Sequence, residues 1–162
     1  MDHQRTPFDS QFELLKTELA HIDGAIRQFD EITKSVKNWT IVTWTASLGL
    51  ALKEPGLRDF VWLTALIPAV FWIVDGSFRR IQRSFILRIG DISKYMNSDA
   101  FKRAAQMGNA IEFELLLMRC KPRSFRDTLL GTLLFRTVAF LYAGLSLSSV
   151  IVWLWLRARH AS

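Results

Sequence analysis

The chain has 162 residues, half of them apolar, and a net charge of +6. Its single cysteine, Cys120, excludes an internal disulfide, a CxxC redox pair and a cysteine-built metal cluster, and His3, His21 and His160 are too scattered for a metal site. No nucleophile elbow, phosphate loop or paired-carboxylate cluster stands out, so the sequence predicts no enzyme, no cofactor and no metal.

Residues 1–38 hold five Lys/Arg and seven Asp/Glu, with no early apolar core and no small-residue cleavage site, so no cleavable signal peptide is expected. Thr6-Pro7 reads as an N-cap followed by proline at the first helical position, and Asp9 adds a favourable charge to the first turn. From there Phe8, Phe12, Leu15, Leu19, Ile22, Ile26, Phe29 and Thr33 recur in steps of four and three, a heptad seam, with Glu13, Lys16, Glu18, Asp23, Arg27 and Asp30 placed off the stripe. The stripe predicts either an amphipathic helix that lies on the membrane or folds back on the chain, or an association seam between subunits. Phenylalanines on the seam suit a wide bundle better than a narrow parallel dimer.

Trp39 to Leu52 and Phe60 to Val74 are apolar runs separated by a turn at Pro55-Gly56, and together they predict a transmembrane hairpin over residues 39–75. Fourteen and fifteen residues reach only about 21–23 Å as α-helix, so these spans must borrow flanking turns or snorkel Lys53 and Arg58. Trp39, Trp44, Trp62 and Trp72 stand near the run ends, as interfacial belts require. Pro68 predicts a kink in the middle of the second run. Thr40, Thr43 and Ser47 share one side of the first helix and are candidates for pore lining or helix packing.

Residues 76–127 read as a basic helical section. Phe78, Ile81, Phe85, Ile89, Ile92 and Met96 share one helical face, while Arg79, Arg80, Arg83 and Lys94 gather opposite them. That basic face fits anionic lipid headgroups, a cytosolic protein or a nucleotide signal; nucleic acid is disfavoured, because no stacking platform accompanies the arginines. Asp75 precedes Arg79 by four residues and predicts an i,i+4 pair at the junction marked by Trp72, Asp75 and Arg79.

Asn97-Ser98-Asp99 reads as another helix start, with Phe101 to Met118 helical and Ala104, Met107, Ile111, Leu115 and Met118 on one side, ended by Pro122. The run Phe113 to Met118 is apolar enough to predict burial. From Thr128 the chain is expected to lead without a break into a third span, Thr137 to Leu156, within residues 128–162. That run carries no charge and matches the ~20 residues needed to cross hydrocarbon. Gly144 and Ser148 give it a small-xxx-small spacing, again for packing or pore lining, and no Asp, Glu, Lys, Arg or His falls at mid-bilayer depth in any run.

Twelve Lys/Arg against five Asp/Glu between residues 76 and 136 place that section, and with it the N-terminus, on the cytoplasmic side. The short basic tail from Arg157 to Ser162 then lies outside, against the same rule.

The stretch Phe71-Trp72-Ile73-Val74-Asp75-Gly76-Ser77-Phe78-Arg79-Arg80-Ile81-Gln82-Arg83-Ser84-Phe85 resembles the junction of small bacterial membrane proteins in which an aromatic-rich second span runs through Trp-x-x-Asp into a basic helix. These include the RipA-like octameric membrane family and, more loosely, SLATT-type two-span effectors of phage defence. The resemblance covers roughly residues 35–95, and the third run departs from the two-span pattern. It implies a homo-oligomeric inner-membrane assembly, an octamer in the first family, and in some relatives a pore switched by a cytoplasmic signal in defence or stress. The expectation is therefore an all-α, multi-pass inner-membrane protein that assembles with itself as a bundle or ring and forms or gates a pore. The alternative is a membrane anchor or scaffold that recruits a cytosolic partner or anionic ligand through the basic helix without conduction.

Overall fold

A computed structural model describes residues 6–115 and 124–161, and among these the chain is all-helical, without a strand. Helix α1 covers Pro7–Lys53, α2 Leu66–Met96, α3 Asp99–Met107, α4 Leu129–Leu133 and α5 Arg136–Ala161; 3₁₀ segments occupy Pro55–Ala65 and Phe125–Asp127. The chain divides into two compact units, the first made of Met1–Phe29 and Ile81–Arg123 and the second of Asp30–Arg80 and Ser124–Ser162. These borders fall at Asp30 and Ile81 rather than at the composition shifts near residues 38 and 75.

The first unit begins with the predicted cap. Asp9 N donates to Thr6 Oγ1 at 3.2 Å, while Thr6 N and Oγ1 donate back to Asp9 Oδ2 at 3.0 and 2.8 Å, so the two residues satisfy each other's orphan donors. The seam is covered within the chain. Leu15 and Ile22 bury against Ile92 of α2, flanked by Phe12, Leu19, Ile26, Phe85, Ile89, Met96, Phe113 and Leu115. Phe29 meets Phe85 at 5.9 Å, and Phe101 of α3 tilts against Phe8 and Phe12 at 5.5 and 5.9 Å. Of the two sequence readings of the stripe, this is the fold-back one. Glu18, placed off the stripe by its charge, is in fact among the buried residues.

Helix α3 starts as expected, with Ser98 accepting from Phe101 N at 3.3 Å. It ends at Met107, eleven residues short of the predicted Met118, because Gly108 takes a left-handed φ of 67° and caps it. Ala104 and Ile111 are buried, but Met107 is 69% exposed. Leu116, Leu117 and Met118 lie outside the described residues.

In the second unit, the segment Asp30–Lys53 of α1, the 3₁₀ segment, the start of α2 and α5 pack side by side. Trp44 Nε1 donates to Ser149 Oγ at 2.8 Å; the Ser149 and Thr64 hydroxyls bond at 2.9 Å; Ser146 Oγ donates to Ala65 O at 3.1 Å. Tyr142 of α5 faces Thr40 and Asp75. The order of these pairs along the chain means that α5 runs in the direction of α1 and against α2.

Pro68, expected in the middle of the second run, falls at the start of a helix rather than in the interior of one. The backbone is 3₁₀ up to Ala65 and becomes α-helical at Leu66, so Pro68 sits in the first turn of α2, where its missing N–H breaks no interior ladder bond. The 3₁₀ segment rises faster, and Pro55 to Val74 extends about 35 Å instead of about 30 Å. The expected unbroken lead into the third run is also corrected. Thr128 caps the short α4 by accepting from Gly131 N at 3.2 Å, and the chain leaves helical geometry at Leu134-Phe135 before α5 starts at Arg136. Gly76 lies where α4 comes close to α2: a Cβ there would lie 2.5 Å from Leu133 Cδ2, so a side chain at this position has to displace the end of Leu133.

Two stretches among the described residues are long and apolar enough to cross a membrane, Pro55–Met96 and Val138–Arg159. The run Trp39 to Leu52 does not qualify, because Lys34, Lys37, Asn38 and Lys53 crowd its short apolar length within α1.

Candidate functional site

Polar side chains inside the second unit form two groups. The first centres on Ser149, fully buried, which joins Trp44 of α1 and Thr64 of the 3₁₀ segment. Thr64 also donates to Val61 O at 2.7 Å, so each hydroxyl has a partner. Hydrogen bonds of this kind across an interface help to hold helices with apolar exteriors in register.

The second group surrounds Asp75. Asp75, Tyr142 and Thr40 are each 0% exposed and come from α2, α5 and α1 respectively. Arg79 Nε approaches Asp75 Oδ1 at 3.6 Å, the expected i,i+4 pair, but this is beyond hydrogen-bond range. Thr40 Oγ1 donates to Val36 O at 2.7 Å. Both Asp75 oxygens, Arg79 Nε and Tyr142 Oη are buried without a hydrogen-bond partner. Next to them Thr132 Oγ1 donates to Gly76 O at 3.1 Å and Trp72 Nε1 to Leu133 O at 3.0 Å, so the junction residue Trp72 ties α2 to the end of α4.

The remaining predicted residues are dispersed. Arg80 belongs to the second unit and is exposed; Arg83, half-buried, and Lys94, exposed, belong to the first. Thr43 and Ser47 are half-buried on α1. Gly144 is exposed, nothing stands within 4 Å of a Cβ built on it, and Ser148 donates to its carbonyl at 2.8 Å. Phe8, Phe12, Leu15, Leu19, Ile22, Ile26 and Phe29 lie in the core of the first unit or along its edge.

Sequence reasoning missed Tyr142, Ser149, Thr64 and the pair Glu18–Arg88. Tyr142 and Ser149 stand seven residues apart in the uncharged run, two helical turns, and that spacing was the available signal. For Glu18 and Arg88 the signal was weaker, opposite charges next to the two apolar stripes.

In the first unit, α3 and the segment after it border an open cleft of about 270 Å³ lined by Tyr95, Ala104, Arg103, Met107, Asn109 and Glu112. It is smaller than the roughly 300–1,000 Å³ of small-molecule sites. Burial pushes the Tyr95 hydroxyl above its ordinary pKa, and the Glu112 charge acts in the same direction, partly offset by the Glu112 backbone. Among the described residues no three His, Cys, Asp or Glu side chains gather as metal ligands. In comparisons with protein-family models, curated proteins and solved structures, the chain matches none.

Proposed function

We propose that the chain is a multi-pass bacterial inner-membrane protein without enzymatic activity, in which the second unit is the anchor and the basic helix recruits a cytosolic partner or anionic ligand. The observation that carries this is the outer surface of that unit. In both apolar stretches only 17% of the hydrophobic window is buried, whereas the core helix of a water-soluble protein hides most of its apolar residues. Trp39, Val42, Phe60, Val70, Phe140 and Ile151 all face outward, and Phe140 is 87% exposed. Water-soluble monomers rarely expose apolar patches of more than a few hundred Å², and lipid is the medium that makes such a surface favourable. The hydroxyls of Thr40, Thr64 and Ser149 and the Asp75 group are buried while large apolar side chains face outward, which agrees with the same reading.

α1 and α5 run together and against α2, an arrangement compatible with three crossings and a cytoplasmic N-terminus; the excess of Lys and Arg after residue 76 favours that orientation. Arg80 and Lys94 are the exposed cations of the basic helix, while Arg79 turns to Asp75.

The second reading is a homo-oligomeric pore in defence or stress, as the family resemblance implies. One observation favours it: Gly144 and Ser148 lie on the outer side of α5, where a second copy can approach closely. The heptad stripe, already occupied by the chain itself, does not contribute to it.

Flotation of lysed cells on a density gradient with alkaline washing tests the shared premise: the protein stays with the lipid, and recovery of folded chain in the wash would overturn it. Dye-loaded vesicles then separate the two readings. An anchor leaves them sealed, and a pore empties them.

A further inference from the structure

We propose that the buried group of Asp75, Arg79, Tyr142 and Thr40 is a binding site for internal water, which joins α1, α2 and α5 at one level of the second unit. Four polar atoms there make no well-formed hydrogen bond within the protein, although the Tyr142 hydroxyl lies beside Asp75 and Thr40: Asp75 Oδ1 and Oδ2, Arg79 Nε and Tyr142 Oη. Leaving a buried polar atom unbonded costs about 1–3 kcal/mol, more for a charged one, and native proteins almost always avoid it. Asp75 and Tyr142 are fully buried, so bulk solvent does not reach them.

The chemistry of the four atoms selects the ligand. The carboxylate offers acceptors only, Arg79 Nε offers one donor, and the Tyr142 hydroxyl can both give and take. A molecule that donates two hydrogen bonds and accepts two satisfies this set, and water is the smallest that does. The 3.6 Å between Arg79 Nε and Asp75 Oδ1 is too long for a direct bond, which is the spacing at which a bridging molecule is expected. A metal cation fits worse: the guanidinium already neutralises the carboxylate, and a second positive charge in a low-dielectric site would be repelled by it. Thr40 Oγ1 spends its proton on Val36 O and presents its lone pairs to the same space, so it can accept from the water.

The result is a polar joint unlike the one at Ser149. At Ser149 the helices bond each other directly and their spacing is fixed; at Asp75 they bond through an exchangeable molecule, and the joint can lengthen or shorten without leaving an ion unpaired.

Difference infrared spectroscopy of the full chain in lipid nanodiscs, comparing ordinary and ¹⁸O water, tests this. A hydroxyl-stretch band of internal water that shifts with the isotope is expected in the parent protein, lost in Asp75→Asn and in Tyr142→Phe, and retained in Ser77→Ala, which changes an exposed hydroxyl bonded to Ile73 O. Thr40→Val, close in shape, is the second variant should Tyr142→Phe fail to fold, and it shifts the band. No isotope-sensitive band in the parent, or one unchanged in all three site variants, overturns the proposal. So does a structure that resolves ordered solvent and shows Asp75 and Arg79 in direct bidentate contact.

Discussion

Arg88 Nε donates to Glu18 Oε1 across 2.7 Å, and the two side chains are 4% and 1% exposed. Phe113 lies under the guanidinium at 4.7 Å, and a second guanidinium nitrogen donates to Glu114 O. A charge pair this buried needs such further partners, and it ties α1, α2 and the segment after α3 into one core. Removing one partner strands the other. Arg88→Ala and Glu18→Ala are each expected to destabilise the protein by about 3–5 kcal/mol in denaturant unfolding, whereas the double replacement Glu18→Leu with Arg88→Met recovers most of the loss. Additive losses in the double variant would contradict the pairing.

Gly108 is the position where backbone geometry decides the end of a helix. Its φ is 67°, and a Cβ would stand 3.2 Å from Thr6 Cγ2. Gly108→Ala meets both the left-handed penalty and the cap of α1, so a loss of about 1–2 kcal/mol is expected. Thr6→Ala alone removes the cap and costs about 1 kcal/mol. Thermal unfolding of the two single variants and the double variant checks this; the double costs less than the sum, because trimming Thr6 relieves the contact with the new methyl.

Gly76 and Leu133 give a reversible clash. Gly76→Ala places a methyl 2.5 Å from Leu133 Cδ2, the movable end of a side chain. The single variant lowers the melting temperature in detergent, and adding Leu133→Ala restores part of it. If the second change only makes matters worse, α4 does not pack on α2 at this point.

Neighbouring serines on α5 should behave differently. Ser149 is the acceptor of Trp44 and the partner of Thr64, while Ser148 bonds back to Gly144 O one turn away. Ser149→Ala leaves the Trp44 N–H orphaned and costs about 1–3 kcal/mol. Ser148→Ala, which loses only an exposed local bond, stays within about 0.5 kcal/mol. Equal effects would remove the case for a tie at Ser149.

Tyr95 supplies a pH dependence. Its folded pKa lies above the ordinary 10.0, chiefly through burial. The neutral hydroxyl is thus favoured by the fold, so the contribution is complete below pH 10 and declines as pH rises above it, until the folded form also ionises. Unfolding measured across that range should fall less steeply in Tyr95→Phe than in the parent protein.

Much of the helical layout was legible from residue order. The Thr6–Asp9 cap, the Ser98 cap and the face shared by Phe85, Ile89, Ile92 and Met96 follow from local hydrogen bonding and the 3.6-residue period, which act within a few residues. The Asp75–Arg79 pairing was legible for the same reason. The end of α3 at Gly108 was overlooked, although glycine after a short helix is the usual stop; the apolar run that followed outweighed it.

What the sequence determined by itself is which residues form helices, which faces are apolar, and that three apolar blocks exist whose composition sets them apart from the charged remainder. Only the tertiary structure decided what covers each face: that the heptad stripe meets α2 of the same chain, that Glu18 finds Arg88 seventy residues away, and that Tyr142 and Thr40 close over Asp75. Periodicity fixes the direction in which a side chain leaves its helix, a local property of the backbone. The partner it meets depends on how distant segments pack, and no short-range rule carries that information.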